Sequence, residues 1–354
     1  MKKLTIAGTD IPVGCRTQIE LPVAQLYTNT ELSMTVKAIR GRKEGPTLFV
    51  SAAIHGDEIN GVEIVRRLLQ HKALRSIRGT LLAIPIVNVH GFLNNSRYLP
   101  DGRDLNRSFP GSPKSSLAGR MAHTFLNEVV LQCTHGIDLH TGARHRSNLP
   151  QIRADIKDES TRAMAESFAA PVILHSATRD GSLREIASNQ NIQVLLYEAG
   201  EALRFDEVAI RAGVSGIINV MRHIGMLPPS RSKKAKRSSM ITGQSTWIRA
   251  NSSGVLRALV PLGAFVTKGD VLALISDPMG NNSADAKILA SDDGIVIGRT
   301  FLPLVYEGDA LFHVAKYKAN IGEALDQVNA FREEFEPEAY STSDDYDDHP
   351  PIAG

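Results

Sequence analysis

The sequence lacks several features that would place a protein in a special class. It has only two cysteines in 354 residues, Cys15 and Cys133, so we expect no disulfide framework and a reducing cytoplasm as its location. It has no apolar run long enough to cross a membrane, and its basic N-terminus lacks the apolar core of an export signal. The formal net charge of +2 is too small to indicate nucleic acid as the main partner. We therefore expect a cytoplasmic globular protein with neither a membrane nor a nucleic-acid partner.

Apolar runs alternate with amphipathic segments through the first two thirds of the chain. The apolar runs are typical of strands buried on both faces, and the amphipathic segments carry apolar residues at helical spacing. The predicted strands are 46–54, 79–88, 135–141 and 192–200, and the predicted helices are 58–71, 115–132, 182–190 and 206–226. This alternation predicts an α/β fold with a mixed, mainly parallel sheet flanked by helices.

The last third of the chain has a different pattern. Residues 229–242 are rich in proline, serine and basic residues and are predicted to form a solvated linker after a domain at 1–228. A weak internal repeat, 254–275 against 294–314, predicts a small all-β sandwich domain over 243–332. The acidic segment 333–354 has few apolar residues and is predicted to be a disordered tail.

Two histidines and a glutamate lie just beyond, or at the end of, predicted strands. His55 follows the strand 46–54, Glu58 begins the next helix, and His140 ends the strand 135–141. Ligands bind at the carboxyl edge of open α/β sheets, where these side chains can meet. Two imidazoles and a carboxylate are the three protein ligands that a catalytic zinc ion needs. Asp138, two residues before His140 on the same side of the strand, could orient that ligand.

Two further segments supply substrate-binding and proton-transfer groups. The loop at 97–107 contains Arg97, Arg103, Asn106 and Arg107, whose side chains suit the grip of a substrate carboxylate or the polarisation of its carbonyl. Glu198 ends the strand 192–200 and is a candidate general base. The residues together make a complete set for metal-assisted amide hydrolysis.

Each of these residues also has an ordinary structural explanation when taken alone. A glutamate at a helix start is favoured by the helix dipole, and a strand-end histidine can be a capping or core residue. A strand-end glutamate commonly faces solvent, and a basic loop can simply be solvated. The joint arrangement, with three of the four segments at strand ends, favours the functional interpretation.

The set resembles the succinylglutamate desuccinylase/aspartoacylase family, a branch of the zinc carboxypeptidase-like hydrolases. The resemblance rests on four segments in the family's order, which are His55-Gly56-Asp57-Glu58, Asp104-Leu105-Asn106-Arg107, Asp138-Leu139-His140 and Glu198-Ala199-Gly200. It implies one zinc ion per chain, held by His55, Glu58 and His140. It implies Asn106 and Arg107 on the substrate carboxylate, Glu198 as the base, and an arginine that polarises the scissile carbonyl. Arg97 fits that arginine by position, and Arg103 remains the alternative.

The resemblance also implies the kind of reaction, and it extends to the β domain. We expect hydrolysis of the amide bond in a small N-acyl amino acid, so the partner is a small-molecule carboxylate. The β domain resembles a biotinyl/lipoyl-type sandwich, but the hairpin 277–283 has no lysine, so no biotin or lipoyl attachment is expected. The domain is expected to cover the active-site mouth or to support a homo-oligomer. The alternatives are a zinc carboxypeptidase acting on short peptides and a non-catalytic metal-binding protein.

Overall fold

A computed structural model describes residues 3–177, 179–230, 238–281, 285–317 and 321–335. The α-helices in these ranges are α1 (Asn60–Gln70), α2 (Val89–Leu93), α3 (Leu117–Glu128), α4 (Glu159–Phe168), α5 (Leu183–Asn189), α6 (Glu207–His223) and α7 (Ile321–Phe335). Short 3-10 helices lie at Lys72–Ser76, Leu105–Arg107 and Val130–Gln132. Within the described ranges, no helix combines the length and apolar character needed to cross a membrane.

The strands alternate with these helices in the first part of the chain and follow one another directly in the last part. They are β1 (Thr5–Ile6), β2 (Thr9–Asp10), β3 (Arg16–Gln25), β4 (Glu31–Arg40), β5 (Lys43–Ala52), β6 (Arg78–Ile84), β7 (His135–Gly142), β8 (Arg146–Ala154), β9 (Val172–His175), β10 (Gln193–Glu201), β11 (Met240–Thr242), β12 (Ser245–Arg249), β13 (Gly254–Ala258), β14 (Phe265–Val266), β15 (Val271–Ser276), β16 (Ala286–Leu289), β17 (Gly294–Thr300), β18 (Leu304–Val305) and β19 (Ala310–Lys316).

One large sheet runs through the molecule in the order β12-β19-β17-β8-β10-β7-β5-β6-β4-β3. Its centre, β10-β7-β5-β6, is parallel, and β9 pairs in parallel with both β8 and β11. The predicted α/β class and mixed sheet are confirmed. The expectation of a mainly parallel sheet holds only for the centre. Antiparallel pairs such as β3-β4 and β8-β17 extend both edges, and the alternation of strands and helices did not reveal them.

Helices cover both faces of the parallel centre. Alternate residues of β5 point to opposite faces: Leu48 and Val50 belong to one apolar core, and Phe49 belongs to the other. The first core is completed by side chains of α1, α4 and α6, and the second by side chains of α3 and α5. Burial on both faces explains why the sequence of this strand is almost wholly apolar.

The C-terminal strands divide between two sheets. Strands β12, β17 and β19 continue the large sheet through the pairing of β17 with β8, and β16, β15, β13 and β18 form a separate four-stranded sheet in that order. Apolar side chains from both sheets share one core, including Val296 and Phe312 from the first and Leu256 and Leu272 from the second. The C-terminal region is thus attached to the α/β region by backbone hydrogen bonds.

Helix α7 was not predicted from the sequence. Its residues Phe331 and Phe335 pack against Ala212 of α6, and Val328 is also buried. The spacing of these apolar residues is helical, but the acidic composition around them favoured the prediction of a tail from residue 333. That prediction is wrong for residues 333–335, because they end α7; the rest of the acidic segment lies outside the described residues. Of the basic segment 229–242, residues 231–237 also lie outside them, and Met240–Thr242 forms β11.

A substitution at Gly136 tests how closely side chains pack at the centre of the sheet. A Cβ atom at this position would lie 2.1 Å from ring atoms of Phe49, which is itself packed edge-on against Phe125. We expect Gly136→Ala to lower the free energy of unfolding by about 1–3 kcal/mol, because the buried ring has no space to move into. Urea denaturation of the purified protein measures the change.

Gly243→Ala is the matched control for this substitution. The nearest atom to a Cβ atom at Gly243 is His175 Cβ at 3.9 Å, which is ordinary van der Waals contact. We expect its denaturation midpoint to stay close to that of the wild type. Equal midpoints for the two variants would contradict the close packing of Phe49 against β7.

Candidate active site

The parallel pairing of β5 and β7 places the candidate metal ligands side by side. Ser51 and Ala52 at the end of β5 lie opposite Asp138 and Leu139 of β7, so the carboxyl ends of both strands reach the same edge of the sheet. His55 follows β5 in a turn in which Glu58 N donates a hydrogen bond to the His55 carbonyl oxygen at 3.1 Å. The turn directs both side chains towards the end of β7.

His55, Glu58 and His140 converge on one point. The Nδ1 atom of His55 lies 2.8 Å from Glu58 Oε1, and the Nδ1 atom of His140 lies 2.8 Å from Glu58 Oε2. The two imidazole rings are 5.0 Å apart between centroids, and all three side chains are buried. One ligand atom from each residue lies within 4.8 Å of the others, so the three could hold a metal ion. The sequence prediction placed these three residues together, and the structure does so.

The far nitrogen of each imidazole ring is held by a carboxylate. His55 Nε2 lies 3.2 Å from Asp104 Oδ1, and His140 Nε2 lies 2.8 Å from Asp138 Oδ2. Asp138 is fixed in turn by the Ser51 hydroxyl, which donates to its Oδ1 at 2.7 Å. A carboxylate on the far nitrogen directs the lone pair of Nδ1 towards the shared point and makes it a better ligand. The donor set of two such imidazoles and one carboxylate fits zinc.

The electrostatics of the cluster favour positive charge at its centre. Burial by itself would raise the pKa of Glu58, but the imidazoles of His55 and His140 hold that pKa well below its usual value. Burial by itself would lower the pKa of His140, but Asp138 and Glu58 raise it well above the usual value. Buried carboxylates that stay ionised need nearby positive charge, which a divalent cation also supplies.

Arg97 and Arg103 from the predicted substrate loop lie in different surroundings. Arg97 Nη1 lies 3.3 Å from Glu58 Oε1, and its Nη2 donates to Asp104 Oδ2 at 3.0 Å. Arg103 is 59% exposed, lies 3.7 Å from Asp101 and does not line the cavity beside the His–Glu–His cluster. The structure therefore brings Arg97, and not Arg103, to the cluster.

Asn106 and Arg107 line the same cavity as the cluster. The side-chain oxygen of Asn106 accepts a hydrogen bond from Leu183 N at 3.0 Å, so its amide NH₂ group remains to donate. Arg107 contributes a guanidinium to the same wall. An amide donor beside a guanidinium is suited to binding a carboxylate.

Glu198 is oriented by residues of the neighbouring strand. On β10 it lies opposite His140 of β7 on one side and opposite Gln151 of β8 on the other. Asn148 Nδ2 donates to Glu198 Oε2 at 2.5 Å, and Arg153 Nε lies 3.3 Å from Glu198 Oε1. A hydrogen bond from Asn148 and an ion pair with Arg153, both on β8, therefore hold the carboxylate at the cavity wall.

The cavity has a volume of about 300 Å³, the size of a small molecule. Besides the residues already described, its walls include a set that the sequence reasoning missed, namely Arg146, Asn148, Arg153, Arg179, Arg184 and Trp247. Three of them belong to β8, which pairs antiparallel with β10, and Trp247 comes from β12 at the far end of the sheet. No motif in the sequence marks these residues as part of a cavity. The only indication in the sequence was the large number of arginines between residues 144 and 184.

Two solved structures share this fold. An ectoine utilization protein from Ruegeria pomeroyi, with product bound, has a TM-score of 0.76 and 22% identity over 87% of this chain and 98% of its own. A succinylglutamate desuccinylase/aspartoacylase from Rhodobacter sphaeroides has a TM-score of 0.76 and 22% identity over 88% of this chain and 99% of its own. The likeness covers most of both chains.

Two named enzymes are similar to this chain in sequence. The N-alpha-acetyl-L-2,4-diaminobutyric acid deacetylase of Halomonas elongata is 24% identical over 314 residues, which are 86% of this chain and 92% of the relative. The succinylglutamate desuccinylase of Pseudomonas fluorescens is 28% identical over 182 residues, or 48% of this chain and 52% of the relative.

The family model of the succinylglutamate desuccinylase/aspartoacylase catalytic domain matches residues 44–224, about half of the chain. This range contains all three residues of the His–Glu–His cluster and the carboxylate of Glu198. The chain therefore belongs to the succinylglutamate desuccinylase/aspartoacylase family.

Proposed function

We propose that this protein is a zinc-dependent hydrolase that cleaves the amide bond of a small N-acyl amino acid. The observation that carries the proposal is the convergence of His55, Glu58 and His140 beside a cavity whose wall holds Glu198. Two relatives support the reaction type, because one is named as a deacetylase of an N-acetyl amino acid and the other as a succinylglutamate desuccinylase. The alternative function is that of a carboxypeptidase, which would bind short peptides. The small volume of the cavity favours N-acyl amino acids over such peptides.

In the proposed mechanism, His55, Glu58 and His140 hold one zinc ion per chain. When bound, zinc supplies a Lewis acid that polarises a carbonyl and makes water a stronger nucleophile. Glu198 takes the proton from the attacking water and returns it to the leaving nitrogen, while Asn148 and Arg153 hold its carboxylate in place.

The remaining side chains bind and polarise the substrate. Arg97, beside Glu58, stabilises the negative charge that develops on the carbonyl oxygen. Asn106 and Arg107 bind the substrate carboxylate through the amide NH₂ group and the guanidinium.

We infer that residues 1–228 form the catalytic domain and that 243–332 form a β-sandwich of the biotinyl/lipoyl type. The two sheets of the C-terminal region share one apolar core, which supports the sandwich. The pairing of β17 with β8 supports a role for this region beside the active site, since β8 carries Asn148 and Arg153.

We also propose that the protein is cytoplasmic, acts on a small-molecule carboxylate and can form a homo-oligomer.

Glu198→Gln tests the general base. The amide keeps the size of the side chain but cannot take a proton, so we expect kcat on the best substrate of an N-acetyl and N-succinyl amino acid panel to fall about 100- to 10,000-fold. Zinc content and thermal stability should stay at wild-type values. Glu201→Gln, on the same strand but outside the cavity, is the matched control. Wild-type turnover in Glu198→Gln would exclude this residue as the base.

Metal removal tests the zinc centre. We expect elemental analysis to find about one zinc ion per chain, and we expect a chelator to abolish activity that added zinc restores. Asp138→Asn should weaken zinc affinity about 10- to 100-fold, because it loosens the support of His140 Nε2. His123→Asn, on α3 away from the cavity, is the control. Full activity in zinc-free protein would contradict the proposal.

A pair of arginine substitutions tests which guanidinium polarises the carbonyl. We expect Arg97→Met to lower kcat about 100- to 1,000-fold, because it removes a donor for the developing oxyanion. Arg103→Met should change kcat less than about twofold, since its side chain is exposed and paired with Asp101. Steady-state kinetics on one substrate measures both. A larger loss in Arg103→Met would reverse the assignment.

A further inference from the structure

A second cavity lies at the opposite end of the sheet from the candidate active site. Strands β5 and β6 pair in parallel, and their first residues, Lys43 and Arg78, are register partners beside this cavity. His55 follows the other end of β5, and at about 3.3 Å per residue the ten residues of that strand separate the two ends by roughly 30 Å. We call this second cavity, which has a volume of about 950 Å³, the amino-edge cavity.

The wall of the amino-edge cavity is strongly basic. Seven cationic side chains line it, and the residues of its wall include no aspartate or glutamate. The cations are Arg16, Arg40, Arg42, Lys43, Arg75, Arg78 and Arg222. The whole chain has 40 Lys and Arg against 38 Asp and Glu, so this excess of positive charge is local. A cleft lined by charge of one sign concentrates ligands of the opposite sign.

The fold assembles these cations from four segments that are distant in the chain. The segments are the start of β3, the turn between β4 and β5, the 3-10 helix that leads into β6, and the end of α6. The antiparallel pairing of β3 with β4 places Arg16 opposite Ile39. A hydrogen bond from Arg78 N to the Met226 carbonyl oxygen at 2.8 Å joins the start of β6 to the chain that follows α6. The cations therefore meet through tertiary contacts, and no single basic run in the sequence produces the cavity.

Six of the seven cations lack the carboxylate partner that exposed arginines have elsewhere in the protein. On α4, for example, Arg162 pairs with Glu166 at 2.9 Å. Arg40 is buried, and its Nη1 donates to the Ile11 carbonyl oxygen at 2.5 Å. Within the described ranges, no carboxylate forms an ion pair with the other six side chains, which are those of Arg16, Arg42, Lys43, Arg75, Arg78 and Arg222. Like charges that share one cavity repel each other, and a bound anion would offset that repulsion.

The number of cations and the shape of the cavity indicate the class of anion. One or two guanidinium groups are enough to bind a single carboxylate or a single phosphate, whereas seven cations suit several anionic groups in one molecule. The fork of an arginine matches the oxygen atoms of phosphate, and six of the seven cations are arginines. The site is concave, which favours a small molecule, and its wall has no aromatic ring on which the bases of a nucleic acid could stack.

We propose that the amino-edge cavity is a binding site for a small molecule that carries a chain of phosphate groups, such as a diphosphate or a triphosphate. The phosphate oxygens accept hydrogen bonds from the guanidinium groups and from the ammonium group of Lys43. The site is separate from the active-site cavity, because no residue lines both. It therefore binds its ligand independently of the proposed amide hydrolysis.

Cys15 provides a local reporter of a ligand in the amino-edge cavity. Its thiol is exposed and it lines this cavity, whereas Cys133, the other cysteine, is buried. The rate at which uncharged iodoacetamide alkylates Cys15 is measured by mass spectrometry on zinc-loaded protein in a phosphate-free buffer. We expect saturating tripolyphosphate to slow this alkylation at least about fivefold by covering the thiol. Half of the effect should be reached below about 1 mM tripolyphosphate. An unchanged rate up to that concentration would overturn the proposal.

Substitutions assign the protection of Cys15 to the cations of the cavity. We expect Arg75→Gln and Arg78→Gln each to raise the tripolyphosphate concentration for half-maximal protection about 10-fold, the effect of one charged hydrogen bond. Both side chains are exposed, so the variants should unfold at the wild-type temperature in the absence of ligand. Arg162→Gln is the matched control, because it removes an exposed arginine outside the cavity and should leave the protection unchanged. Wild-type midpoints in both cavity variants would exclude the site.

Other anions in the same alkylation assay define the ligand class. Orthophosphate and citrate should require concentrations at least about 10-fold higher than tripolyphosphate, because each engages fewer of the guanidinium groups. ATP distinguishes the two sources of a triphosphate: a midpoint equal to that of tripolyphosphate supports recognition of the phosphate chain alone, and a lower midpoint supports a nucleotide. Protection by citrate at the same concentration as tripolyphosphate would contradict the phosphate class. Stronger protection by a single-stranded oligonucleotide, at equal phosphate concentration, would replace the small-molecule site with a nucleic-acid surface.

Discussion

The whole site depends on one carboxylate held between two imidazoles. Glu58 reaches Nδ1 of both His55 and His140 at 2.8 Å, and this contact exists only because β5 and β7 are parallel neighbours whose ends coincide. Each imidazole is fixed from behind by an aspartate, so the three candidate metal ligands stay directed towards one another. The apolar cores on both faces of the sheet keep the strand ends in this register.

A second constraint comes from strand β8, which runs antiparallel to its neighbour β10. Its pairing with β10 brings Asn148 and Arg153 to Glu198, and its pairing with β17 joins it to the C-terminal strands. Gly298 of β17 lies opposite Asn148, where a Cβ atom would come within 3.0 Å of the Asn148 side-chain oxygen. The C-terminal region therefore leaves room for the residue that orients the proposed base. It also supplies Trp247 to the cavity wall.

The charges of the site fall into two regions. Carboxylates contact both candidate metal-ligand histidines and favour a cation there, whereas Arg153 pairs with Glu198 and further arginines line the same cavity. For the proposed amide hydrolysis, a metal ion held by the cluster would supply a Lewis acid for the substrate carbonyl, while guanidinium groups would bind a substrate carboxylate. Glu198 stands between the two regions, with Arg153 against one of its oxygens.

The sequence by itself determined the α/β class and the convergence of His55, Glu58 and His140. Ligands at the ends of parallel strands must meet at one edge, and buried strands and their helices have clear periodic patterns. Only the tertiary structure decided that Arg97 and not Arg103 reaches the metal ligands, and that Arg184 and Trp247 face the cavity. The physical reason is that loop paths, and the antiparallel register of β8 and β17, depend on contacts between distant segments. Local spacing does not encode those contacts. Helix α7 was missed for a different reason, because the acidic composition around its helically spaced apolar residues favoured a tail.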